Sequence, residues 1–361
     1  MKIAISAAEA SGDLVASALV KSLLELNPRC NIEGMAGDKM TAAGCKQLWH
    51  PNQVNVMGFS EVIKKLPSLL RLRKSMVSHF SKKSPAVFIG VDAPDFNFKI
   101  ERQLKARGTK TVHFVSPSVW AWRSGRINKI KESTDLMLCM FPFEVDLYKK
   151  HGQEALFVGH PLAETLQPRT DHQQGKKVLL MPGSREAEIK SLLPEMLGAL
   201  MLMKEQDEEV SFSLALANKN LQSWVESQIS GLDIEISIGD AHQKISEADL
   251  VIVASGTATL EIAMLSVPMV VVYKLSAISY QIVKRLLKTD FVSLPNMMLG
   301  KELVPELLQD QANADNIASS ALRILSADNT QLVAELSSIH TQLNQGSAEK
   351  SAKAILAFIN D

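Results

Sequence analysis

The sequence predicts an α/β protein of two Rossmann-like, doubly wound domains facing across a cleft, with C-terminal helices packing back. Three observations carry this. Short apolar runs alternate with stretches of helical periodicity, the pattern of a parallel sheet covered on both faces. At 361 residues the chain is too long for one ordinary core. The polar segment Thr170–Lys176 interrupts the alternation, which then resumes. The expected division is an N-terminal domain over 1–170, a second over 175–335, and terminal helices over 336–361.

In the first half, Lys2–Ala8 reads as a buried strand and Glu9–Asp13 as a turn. Leu14–Leu26 follows with helical spacing and stops before Pro28. Ile32–Ala36, Ala86–Val91, Lys110–Val115, Leu136–Met140 and Ala155–Val158 are further strands. Lys99–Arg107, Arg126–Ser133 and Glu144–Lys150 are helices between them. In the second half Val178–Met181, Ser211–Ala217, Ile234–Ile238, Leu250–Ala254 and Met269–Tyr273 read as strands, and from Ala312 onward the pattern is helical.

Composition narrows the class of function. The chain is 46% hydrophobic and 22% charged, as in a globular protein, and its 39 basic residues equal its 39 acidic ones. No basic field of the kind that grips nucleic acid is expected. Cys30, Cys45 and Cys139 show no metal spacing and read as reduced, buried residues of a cytoplasmic protein. No charged-then-apolar leader precedes the first strand, and no window approaches the roughly eighteen apolar residues that span a bilayer. GxGxxG, GxxxxGK[ST], HExxH and GxSxG are all absent. The scattered histidines offer no metal site, and His113 and His160 beside apolar strands read as structural.

What remains is a set of turns and carboxylates at strand ends. Ala254–Glu261 reads as strand, glycine turn and helix, with Thr257 opening the helix. Unpaired N–H groups and the helix dipole there suit a phosphate. Ser255, Gly256 and Thr257 would hold a diphosphate, and Glu261, four residues beyond Thr257, faces the same spot and suits ribose hydroxyls. Pro182-Gly183-Ser184-Arg185 ends the first strand of the second half: Ser184 can cap the next helix, and Arg185 offers a cationic fork. In the first half, Asp92 and Asp95 follow the buried strand Ala86–Val91, and one of them is a candidate general base, with a helix cap at Asp95 as the plain alternative. Glu9, Ser11 and Asp13 end the first strand and could line the same cleft or cap a helix.

Two further stretches stand out. Trp120, Trp122 and Arg123 crowd one loop and read either as a hydrophobic plug or as a wall for an apolar or sugar ligand. Val62–Ser84 carries Lys64, Lys65, Arg71, Arg73, Lys74, Lys82 and Lys83 and no acid, with Leu66, Leu69, Leu70, Leu72, Met76, Val77 and Phe80 interleaved. Such a helix suits an anionic membrane surface, and it can equally pack on a sheet with its charges in water.

Taken together, Glu9–Asp13, Gly90–Asn97, Val115–Arg123, Phe157–His160, Pro182–Arg185, Ala254–Glu261 and Lys288–Asn296 resemble, in order and over nearly the whole chain, the lipid-A-disaccharide synthase family. The resemblance implies a glycosyltransferase B fold, with acceptor side first and donor nucleotide second. It implies transfer of 2,3-diacylglucosamine from its UDP derivative to the 6-hydroxyl of 2,3-diacylglucosamine 1-phosphate, giving a β(1→6) disaccharide 1-phosphate and UDP. By the same resemblance Arg185, Ser255, Gly256, Thr257, Glu261 and Asn296 are donor-site residues and Asp95 the base. The family usually has glycine where this chain has Ala8 and Glu186.

The expectation is an inverting transfer without metal or cofactor, on the cytoplasmic face of the inner membrane, with peripheral membrane contact. A homodimer by exchange of C-terminal elements is also expected by resemblance. The rival readings are a UDP-sugar epimerase on the same fold and a non-catalytic lipid or nucleotide carrier.

Overall fold

Continuous apolar runs become fully covered strands. All five residues of Val87–Val91 are buried, as are all five of Leu250–Ala254, the state of parallel strands with helices on both faces. The computed structural model describes residues 1–54, 59–119, 126–170, 175–275 and 290–361, with only the backbone of 59–65. It divides into two units, Met1–Glu164 with Asn344–Asp361, and Thr165–Leu343.

The first unit holds β1 (Lys2–Ala7), β2 (Asn31–Met35), β3 (Lys46–Trp49), β4 (Val87–Val91), β5 (Lys110–Phe114), β6 (Leu136–Cys139) and β7 (Glu154–Phe157). They form one parallel sheet ordered β3-β2-β1-β4-β5-β6-β7. Its helices begin with α1 (Ala10–Leu26), α2 (Asp38–Ala42), α3 (Phe59–Lys83) and α4 (Pro94–Lys105). They continue with α5 (Ile127–Ser133), α6 (Pro142–Lys150) and α7 (Pro161–Thr165). The core under α3 and α4 joins Met76, Val77 and Phe80 to Phe88, Phe96, Ile100 and Leu104.

The second unit holds β8 (Lys177–Met181), β9 (Ser211–Leu216), β10 (Ile234–Ile238), β11 (Leu250–Ala254), β12 (Met269–Tyr273) and β13 (Glu306–Leu308). They lie parallel in the order β10-β9-β8-β11-β12-β13. The helices here are α8 (Glu186–Gln206), α9 (Gln222–Gln228), α10 (Ala241–Glu247), α11 (Ala258–Met264), α12 (Leu294–Leu299), α13 (Ala314–Ser326) and α14 (Thr330–Leu343). The last helix, α15 (Ser347–Asn360), returns to the first unit, where Lys110 Nζ donates to the carbonyls of Phe358 and Ile359 at 2.8 and 3.2 Å.

Both sheets reverse strand order once, between β1 and β4 and between β8 and β11. In such sheets ligands bind outside the carboxyl ends of the strands at that reversal. The turns at Glu9–Asp13, Asp92–Asp95, Pro182–Arg185 and Ala254–Glu261 each follow one of these four strands. The edge strands β3 and β13 were not expected; their residues are largely exposed or half-buried, so they lack the apolar run that marks the central strands.

The three cysteines are free and buried. Burial pushes the Cys45 thiol up to about 12, which keeps it protonated and unreactive. Among the described residues no helix is long and apolar enough to cross a membrane.

Candidate active site

Because β8 and β11 are paired, with Met181 opposite Val253, the turns that follow them are neighbours. A Cβ built on Gly183 would stand 3.5 Å from that of Ala254. Gly183 has φ +114°, a conformation that disfavours any side chain, and it carries the chain into α8. Arg185 is the N-cap of α8, and its backbone N–H and guanidinium both meet Glu188, the latter at 2.7 Å. The arginine side chain is 80% exposed and able to exchange that partner for an anion. Ser184 does not cap: it lies exposed one residue ahead of the N-cap, because the helix starts at Glu186. Glu186 turns away from the turn and pairs with Lys190 at 2.6 Å, so the departure from the family glycine puts its charge in solvent.

After β11, Thr257 is the N-cap of α11 and makes no side-chain cap bond. The N–H groups of Gly256, Thr257 and Ala258 have no acceptor among the described residues, and Gly256 and Thr257 are exposed. A Cβ on Gly256 would meet nothing within 4 Å. No contact of the protein itself asks for glycine there, whereas an arriving ligand would. Ser255 Oγ donates to the carbonyl of Val292 at 3.0 Å, tying the turn to the segment that leads into α12.

Glu261 lies one turn into α11, as expected, but with a partner the sequence did not reveal. His242 Nε2, from α10, is 2.9 Å from its Oε2. Asn296 is fully buried and spends its whole amide internally. Its Oδ1 accepts from Leu303 N and Val304 N, and its Nδ2 donates to Val304 O and Glu306 Oε1. With both amide atoms occupied in this way, Asn296 serves to fold the loop of residues 303–306 and has no amide group left for the direct donor contact expected of it.

In the first unit, Asp92 and Ala93 follow β4 with φ +52° and +44°. Two consecutive left-handed non-glycine residues cost on the order of 1–3 kcal/mol each and are typical of functional turns. Asn97, fully buried on α4, holds them there: its Nδ2 donates to Ser6 O and Val91 O at 3.2 Å and to Asp92 O at 2.8 Å. The result lifts Asp95 to the head of α4, where its carboxylate is 85% exposed and meets Arg126 at 2.9 Å. It does not cap its helix, which Ala93 enters without a side-chain cap. Neither Asn97 nor Arg126 was singled out from the sequence. An asparagine two residues beyond a candidate base was the available signal for the first.

Ser11 Oγ donates to Asp92 Oδ2 at 3.3 Å, joining the β1 and β4 turns. Gly12 allows the approach, since a Cβ there would already sit 3.3 Å from Val91 O. Partial burial, and then the Asp92 charge, push the Glu9 carboxyl above its usual range. Ala8 is fully buried in the core, so its methyl does not narrow the turn.

Asp13 does not line the site. It is buried and accepts from the backbone N–H groups of Gly37, Lys39 and Met40 at 2.7, 3.1 and 3.3 Å, capping the neighbouring α2. The membrane-surface reading of α3 is corrected for Leu69, Arg73, Met76 and Phe80. All four are buried, because helical periodicity turns them onto the sheet and α4. Leu66 and Leu70, at 48% and 51% exposed, and Arg71 and Lys74 remain outward. Lys64 and Lys65, as side chains, and Trp120, Trp122 and Arg123 lie outside the described residues.

His113 and His160 are structural. His113 Nδ1 meets Glu101 Oε1 at 2.7 Å, both groups fully buried, and that burial pushes the Glu101 carboxyl up. His160 Nδ1 accepts from Leu162 N at 3.2 Å, and burial lowers its pKa to about 4.

The profile of the lipid-A-disaccharide synthetase family matches residues 3–359. The lipid-A-disaccharide synthase of Methylobacillus flagellatus is 40% identical over 375 residues, covering 99% of each chain. This chain belongs to the lipid-A-disaccharide synthase family. Like the family's other members it is a hexosyltransferase of lipid A biosynthesis. Among solved structures, the UDP-GlcNAc 2-epimerase of Neisseria meningitidis bound to UDP-GlcNAc superposes with a TM-score of 0.64 at 13% identity, covering 99% of this chain and 100% of that one. A kitacinnamycin glycosyltransferase gives 0.63 at 13% identity, covering 99% and 98%. At that identity they speak for the fold, which the synthase family shares with glycosyltransferases of the B type.

Proposed function

We propose that the chain transfers 2,3-diacylglucosamine from its UDP derivative to the 6-hydroxyl of 2,3-diacylglucosamine 1-phosphate, with inversion at the sugar carbon. The second unit takes the donor. The diphosphate sits on the open N–H groups of 256–258 and against Arg185 at the head of α8. Both stabilise the negative charge that grows on UDP as the glycosidic bond breaks. Glu261, held on one side by His242, offers its other oxygen to ribose hydroxyls. In the first unit Asp95 takes the proton from the acceptor hydroxyl as it attacks, with Asp92 as the alternative base. One base suffices because inversion is a single displacement.

The observation that carries this reading is the pair of turns after β8 and β11. Two helix starts lie side by side at the reversal point of one sheet, one with unpaired N–H groups and a side-chain-free glycine and the other with an exposed arginine. Peripheral contact with an anionic membrane at the cytoplasmic face rests on a narrower surface than the sequence implied, namely Leu66, Leu70, Arg71 and Lys74. A homodimer by exchange of α15 belongs to the same reading, since a second copy's helix could make the Lys110 contacts equally well.

The test is to incubate the protein with both substrates and quantify UDP and disaccharide. Equal amounts of each, and neither without acceptor, are expected. UDP release without acceptor and without disaccharide would favour the epimerase reading instead.

A further inference from the structure

A groove of about 640 Å³ runs between α3 and α4, lined by Arg73, Lys74, Lys82, Lys99, Arg107 and Leu70 among others, and no carboxylate lines it. Lys99 and Gln103 on α4, and Arg107 in the turn just beyond it, continue the four-residue spacing that begins at Asp95, so the groove follows the helix away from the proposed base.

At its wall lies an unusual arginine. Arg73 is 9% exposed, and its guanidinium stacks 5.1 Å from the Phe96 ring centroid and donates once, from NH2 to the carbonyl of Asp95 at 3.1 Å. Its Nε and NH1 are buried with no hydrogen-bond partner, and none of the ion pairs among the described residues includes it. A buried cation that feels the Asp95 charge but forms no ion pair is costly unless an anion completes it. The guanidinium fork suits a phosphate, and the lysines at the rim add charge without competing acids.

We propose that this groove binds the phosphomonoester of the acylated acceptor, with Arg73, Lys74 and Lys99 as the residues that select a phosphorylated sugar. The inference rests on the acceptor-side reading above and deepens it. In an acylglucosamine 1-phosphate the phosphate hangs from C1 and the 6-hydroxyl from the carbon attached to C5, on either side of the ring oxygen, so the two groups are held apart within one sugar ring. A ligand with its hydroxyl at the Asp95 carboxylate therefore presents its phosphate further along, and the Arg73 guanidinium is anchored on the backbone of that same residue. Exposed Leu70 beside the groove gives an acyl chain somewhere to lie. The anchoring at Asp95, and not at the outer rim of α3, favours the acceptor's phosphate over the headgroup of a bilayer lipid.

The experiment compares kcat and KM for the 1-phosphorylated acceptor and for its 1-dephosphorylated counterpart. It uses wild type, Arg73→Gln, and the surface double variant Lys74→Gln/Lys99→Gln, with a thermal melt on each. The double variant carries the test should the buried substitution not fold. Expected is a rise of roughly tenfold or more in KM for the phosphorylated acceptor, with less than about a twofold change for the dephosphorylated one. Sedimentation of Arg73→Gln, and of Lys99→Gln alone, with phosphatidylglycerol vesicles stays within about twofold of wild type, Lys74 being left intact there because it also belongs to the proposed membrane surface. Equal effects on both acceptors, no effect on either, or a loss confined to vesicle binding would overturn the proposal. The last of these would assign the groove to lipid headgroups. Absence of disaccharide from wild type would overturn the transfer reading itself, whereas disaccharide formed with phosphate discrimination intact in the variants would overturn the groove alone.

Discussion

His242 Nε2 lies 2.9 Å from Glu261 Oε2, linking α10 to the first turns of α11 at the end of β11. The carboxylate is 23% exposed and the imidazole 47%, so one carboxylate oxygen is held and the other stays available. A carboxylate so oriented suits hydrogen bonds from a ribose better than proton transfer. Glu261→Ala should weaken UDP binding by about 1.5–3 kcal/mol, roughly tenfold to a hundredfold, with kcat at saturating donor little changed. His242→Ala should weaken it by less, about tenfold at most. Titration calorimetry with UDP, set beside kcat, checks both.

Asn97 holds the Asp92–Ala93 turn through three donated bonds. Its replacement by Ala should cost about 1–3 kcal/mol of stability and lower kcat by relaxing the turn that lifts Asp95, with UDP affinity unchanged. Urea unfolding with parallel kinetics gives the answer.

Asp13 is assigned to the scaffold. Asp13→Ala should destabilise by about 1–3 kcal/mol through the loss of three accepted N–H bonds, while kcat/KM per folded molecule stays near wild type. A selective loss of acceptor affinity with unchanged melting would return Asp13 to the site.

Acid sensitivity has a defined source at His160. Its pKa falls from 6.5 to about 4 on folding because burial disfavours the charged ring. A lowered folded pKa means the stability is present above pH about 6.5 and is lost as pH falls towards about 4, the loss by then amounting to at most about 3 kcal/mol. His160→Asn should flatten the stability profile across that window and leave it unchanged above pH 7. Chemical denaturation from pH 4 to 8 measures it.

The central strands were legible because they are buried on both faces and read as unbroken apolar runs; β4 and β11 are the plainest cases. The edge strands β3 and β13 escaped because half-exposed strands need no such run. The turns were legible because glycine, serine and an acid after an apolar run carry their chemistry locally. The partners were not: His242 and Arg126 come from other elements, brought near by topology, and neither sits in a motif. On α3 the spacing of Leu69, Met76 and Phe80 correctly gave a helical face, but periodicity does not say what the face meets. Here it meets Phe88, Ile100 and Leu104.

The proposed transfer depends above all on Asp95 as the group that takes the acceptor's proton. Single-turnover kinetics of Asp95→Asn, with donor prebound and acceptor in excess, test it most directly. General-base loss predicts a fall of roughly 10²–10⁴ in the rate of disaccharide formation, with UDP-sugar affinity within about twofold of wild type. A rate near that of wild type with the donor fully bound would contradict it.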